Sequence, residues 1–63
     1  MGWLKAVLLK KRKEALQDLS VLRWNLSACI VFEYYEEAAV LRSKIVEVRK
    51  RLRRIDEDLH RRE

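Results

Sequence analysis

The sequence predicts an all-α fold: an antiparallel two-helix hairpin, coiled-coil-like, that dimerises into a four-helix bundle. Three observations carry this expectation. The 63 residues include one Gly and no Pro, with 49% apolar and 40% charged side chains. That mixture favours long unbroken helices over strands or disorder. Two apolar stripes with alternating three- and four-residue spacing run along the chain. The stripes are mirror images about the Glu33–Tyr34 junction, the arrangement an antiparallel helix pair requires.

The first helix is expected over residues 3–31. Its stripe is Leu8, Ala15, Leu19, Leu22, Leu26 and Cys29, interrupted once by Arg12. A turn is expected over residues 32–35. Extending the first stripe past Cys29 calls for Glu33 and then misses Ala38, so the phase changes there. The local "IVFEYY" is β-branched and aromatic, a weaker helix former than its flanks. The second helix is expected over residues 36–61, with the uninterrupted stripe Tyr34, Ala38, Leu41, Ile45, Val48, Leu52, Ile55 and Leu59. Folding at the junction sets Cys29 opposite Ala38, Leu26 opposite Leu41, and Leu22 opposite Ile45. It likewise sets Leu19 opposite Val48, Ala15 opposite Leu52, and Leu8 opposite Leu59. Each arm is then about 40–45 Å long, and residues 1–63 form a single domain. The same symmetry admits two unbroken helices lying antiparallel, as a swapped or extended dimer. The phase change favours the hairpin.

A hairpin this small buries one stripe per helix, which falls short of what ordering its residues costs. Additional burial is therefore expected, and the first helix has the surface for it. Beyond its stripe lie Trp3, Leu9, Leu16, Val21, Trp24 and Phe32, the expected association interface, with further apolar residues among them. Trp3 and Trp24 stand three heptads apart, as interface anchors or as packing at a dimer seam. The second helix is mostly charged outside its stripe. The simplest partner for the first helix is a second copy.

The stretch "EYYEEAAVLRSKI", residues 33–45, carries a further signal. "YEEAAVLRSKI" resembles the UVR motif, found in subunits of the bacterial excinuclease, in linkers of Clp-type ATPases and in activators of arginine kinases. The matching positions are Tyr35, Glu36, Ala38, Ala39, Leu41, Arg42 and Ile45, with Leu22, Leu26, Cys29 and Ile30 falling on the apolar positions upstream. The chain departs from the pattern at Glu33, Tyr34, Ser43 and Ile30. Tyr34 replaces an Asp able to cap the second helix. The resemblance implies a helical hairpin that pairs with another hairpin, and a partner in DNA repair or Clp-type protein quality control. Apart from the resemblance, Ala38 and Ala39 are short enough for close helix approach, Tyr35 is placed to cover the turn, and Glu36 and Glu37 suit a helix N-terminus.

The net charge is +5. "KKRK" (Lys10, Lys11, Arg12 and Lys13) and "RKRLRR" (residues 49–54, with Arg49, Arg51 and Arg54) are brought to one level by the hairpin. They form a candidate basic band for phosphates or an acidic protein surface. The competing expectation is a solvated face with helical-spacing ion pairs: Glu14 with Lys10, Glu47 with Arg51, Glu57 with Arg53 or Arg61, and Asp58 with Arg54 or Arg62. No aromatic is interleaved with the second basic run, which weakens the case for single-strand recognition.

Chemistry is not expected. Cys29 lies on the core stripe and His60 has no nucleophile nearby in sequence, so no catalytic residue, metal or cofactor is predicted. The N-terminal stretch has its apolar run before its charges, the reverse of a secretory signal. It is too short to span a bilayer, and Ala6 departs from the myristoylation pattern. A single cysteine suits a reducing compartment, so a cytoplasmic protein without membrane contact is expected. The expected function is a non-catalytic interaction module with itself and another protein as partners. The alternatives are a basic helical dimer that binds nucleic acid, and a purely structural coiled coil or piece of something larger.

Overall fold

A computed structural model describes residues 2–61. The chain forms two α-helices, α1 (Gly2–Val31) and α2 (Tyr35–Arg61), packed side by side. The expected hairpin is therefore present, with helix bounds one residue longer at each predicted N-terminus and the turn shortened to Phe32–Tyr34. The molecule measures 48 × 14 × 11 Å, with a radius of gyration of 14.5 Å. A compact chain of this length would have a radius near 10.6 Å, roughly. The fold is a rod, with a core one side chain thick.

That core is the seam between the stripes. Ala15 and Leu19 of α1 meet Ile45 and Val48 of α2, with Leu22, Leu26 and Leu52 packed against them. Ala38 and Ile55 are also buried, and Leu8, Cys29, Leu41 and Leu59 are half-buried. Ala15 and Ala38 are each 1% exposed. Small residues at these two levels let the backbones approach, which a larger side chain would prevent. Tyr34 differs from the expectation. It is 57% exposed because it lies in the turn before α2 begins, where its direction is not that of the helical stripe.

The turn explains how the chain reverses without glycine. Glu33 takes a left-handed conformation, φ 61°. The Tyr34 N–H donates to the Cys29 carbonyl at 2.8 Å, and the Glu33 N–H donates to the Ile30 carbonyl at 3.2 Å. This pair of bonds is the Schellman ending of a helix, a site that normally selects glycine. The Tyr34 carbonyl then accepts the Ala38 N–H at 2.9 Å, so Tyr34 holds the N-cap position of α2. The Phe32 and Tyr34 rings stack across the turn, with centroids 6.1 Å apart. An L-residue in the left-handed region costs about 1–2 kcal/mol, and glycine returns part of that gain through unfolded-state entropy. Glu33→Gly is therefore expected to raise the unfolding free energy by about 0.5–1 kcal/mol. Urea denaturation at fixed protein concentration measures it.

Arg12, the break in the α1 stripe, finds its partner across the seam. Its Nε donates to Asp56 Oδ1 at 2.8 Å. The expected pairs within helices, such as Glu14–Lys10, Glu47–Arg51, Glu57–Arg53 and Asp58–Arg54, do not form. Among the described residues Arg12–Asp56 is the one ion pair, and Arg62 lies outside them. Exposed helical pairs offset little of the entropy of holding two long side chains still. Arg12 instead starts half-buried, so its stem is already constrained. The same weakness limits the interhelical pair to about 0.2–1 kcal/mol. Arg12→Leu would restore an apolar rung opposite Ile55, and is expected to raise stability by about 0.5–1 kcal/mol. Thermal melts of the variant and the parent check it. A polar residue at one seam position favours a single pairing register, as buried polar groups do in other coiled coils.

Candidate interaction surfaces

The two helices differ sharply in how their apolar residues are distributed. In α2 the apolar residues sit mostly on the seam, with charge outside it. In α1 they lie on every face. Only Ala15 and Leu19 of α1 are buried, while Trp3, Val7, Leu9, Leu16, Val21, Trp24, Ile30 and Val31 stand substantially exposed. A helix apolar all round is ordinarily covered all round.

The six residues expected to form the association interface are all exposed, Trp24 at 78% and Trp3 at 63%. They do not form one narrow stripe. Leu16 and Trp24 line one shallow groove along α1, with Ser20, Arg23 and Ser27. Val21 lines another groove with Asp18, Leu22 and Lys44. Phe32 belongs to the turn, stacked on Tyr34. Heptad geometry puts Trp3 and Trp24 on the side of α1 away from α2, with Leu9 and Leu16 beside the seam.

The motif residues divide between seam and surface. Ala38 and Ile45 are buried and Leu41 is half-buried. Tyr35, Glu36, Ala39 and Arg42 are exposed. The close approach after the turn is thus made by Ala38, with Ala39 facing outward, and Tyr35 does not bury itself over the turn. Glu36 and Glu37 lie in the first turn of α2, where acids complement the helix dipole.

The basic runs also divide. Lys11, Arg51 and Arg54 share one groove with Glu14, Asp18 and Asp58. Arg49 lies on the opposite groove, with Arg23, Arg53, Asp56, Glu57, His60 and Arg61. Lys10 and Lys13 are exposed and line neither groove. Consecutive helical residues project about 100° apart, so a run of cations wraps the helix instead of forming one band. The first groove mixes both signs. The second owes its charge to Arg49 and Arg53 of the second run together with Arg23, which no run of like charge singles out. A signal for it exists in the spacing: at heptad positions, Arg23 and Arg49 flank facing stripes on the same side of the seam.

His60 lines the arginine groove and Cys29 is a half-buried free thiol. No helix among the described residues is long and apolar enough to cross a membrane. No family model, curated protein or solved structure matches the chain.

Proposed function

We propose that this chain is a non-catalytic protein–protein interaction module that self-associates through α1 into a four-helix bundle and docks a second protein. The observation that carries this reading is the surface left uncovered. The chain of 7.6 kDa exposes 5388 Å², whereas a compact monomer of that mass exposes roughly 4,300 Å². The difference between the two is roughly 1,100 Å². A standard interface buries about 800 Å² per partner. The excess is at least what one standard neighbour removes, and α1 carries most of the exposed large apolar residues available to it. A second copy meets the requirement because two-fold symmetry sets the same apolar helix against itself.

The resemblance of "YEEAAVLRSKI" to the UVR motif supports a hairpin partner, and with it a role in DNA repair or Clp-type protein quality control. The cytoplasm suits both. Sedimentation equilibrium over a wide concentration range tests self-association. A mass near twice the chain's is expected at micromolar concentration, and the mass of a single chain throughout would refute it.

A further inference from the structure

The two grooves that flank the helix seam differ in charge logic. On one side, Lys11 and Asp18 of α1 lie with Arg51 and Asp58 of α2. Both signs occur on both helices, so this side neutralises itself. On the other side, Arg23 of α1 lies with Arg49 and Arg53 of α2 over a floor of Leu19 and Leu52. The same sign faces itself across the seam, which works against the hairpin. The acids there do not cancel it. Asp56 is engaged by Arg12, and Glu57 is one carboxylate beside Arg49, Arg53 and Arg61.

From this we infer that the Arg23–Arg49–Arg53 groove docks an acidic amphipathic helix of another protein. Its apolar side would meet half-buried Leu52, above the nearly covered edge of Leu19, and its carboxylates would meet the three guanidinium groups. The inference rests on the reading of the chain as an interaction module and names the chemistry of its partner. Three observations select this occupant. The cations of this groove are arginines, whose planar forks pair carboxylates two bonds at a time and which are enriched at protein interfaces where lysine is depleted. The lysines Lys11 and Lys44 line the grooves of the other side. An apolar floor between charged rails fits an amphipathic helix, whereas a phosphate backbone gains nothing from leucine and would be repelled by Glu57. Finally, the described residues of a second copy of this chain offer no acidic stripe. Glu47 and Asp58 lie on the self-neutralised side among Arg51 and Arg54, while Glu36 and Glu37 gather at the start of α2.

The test is fluorescence anisotropy with a labelled three-heptad helical peptide bearing leucine at its core positions and glutamate beside them. The controls are the same peptide with lysine for glutamate, and a duplex and a single-stranded oligonucleotide. The glutamate peptide is expected to bind, more weakly as salt rises. The triple variant Arg23→Gln, Arg49→Gln, Arg53→Gln is expected to bind at least about tenfold more weakly, while Lys10→Gln, Lys11→Gln, Lys13→Gln changes binding less than about twofold. The triple arginine variant should melt no lower than the parent, because it removes a like-charge seam. Should it lose helicity instead, Arg49→Lys with Arg53→Lys decides, since it keeps the charge and loses the forks, and its binding must still fall. Equal binding by the arginine variants, equal loss in the lysine variant, no binding of the glutamate peptide, or tighter binding of either oligonucleotide each overturns the inference, the last in favour of nucleic acid. A monomeric parent that binds the peptide would retire self-association and leave this groove standing. A dimer that ignores the peptide would do the reverse.

Discussion

Leu19→Ala is expected to lower the unfolding free energy by about 2–5 kcal/mol, the range for removing a large aliphatic side chain from a packed core. For a hairpin of this size that is enough to abolish the folded state at room temperature. Leu19 is 8% exposed and belongs to the central cluster with Ala15, Ile45 and Val48. No second layer of side chains lies behind it to close the gap, because the core is one side chain thick. Circular dichroism during urea denaturation should show the parent's cooperative transition replaced by a broad or absent one. Leu9→Ala is the matched control. It removes the same atoms from a position that is half exposed, so within one hairpin it should cost well under half as much. Equal losses at both positions would mean that the burial of Leu9 by a neighbour rivals that of Leu19 in the seam.

The contrast between Leu19 and Leu9 shows what periodicity can and cannot reveal. The mirror relation between the stripes is legible because each seam residue must face another at its own level, and the burial of Ala15, Ile45, Val48 and Ala38 obeys it. Tyr34 escapes the stripe because spacing alone assumes a helix, and the left-handed Glu33 just before it redirects the chain. The turn itself carries no glycine to announce it. The Arg12–Asp56 pair is not legible from spacing within one helix, since it joins residues 44 positions apart. The basic runs mislead in a simpler way. Adjacency in sequence suggests one band, but the helix turns successive side chains to different sides. Arg23, a lone cation among apolar residues of α1, joins Arg49 and Arg53 only after the fold has brought the helices together.

Under the proposed self-association through α1, Trp24→Glu is expected to leave the chain monomeric at concentrations where the parent associates. In a two-fold interface each substitution is counted twice, and a central tryptophan commonly contributes about 2–4 kcal/mol. A combined loss of about 4–8 kcal/mol would weaken a micromolar dimer to about millimolar or beyond. Within a single hairpin the same change should cost only about 0.5 kcal/mol, because Trp24 is 78% exposed there and touches little of the seam. The two readouts therefore separate. Sedimentation equilibrium reports the association. Thermal melts at several protein concentrations report how much of the hairpin's stability is borrowed from it, since only a coupled system has a concentration-dependent midpoint. For the parent the midpoint should climb with concentration, and for Trp24→Glu it should be flat and lower. If the parent's midpoint is also flat and its mass is that of one chain, the apolar surface of α1 is not closed by a second copy.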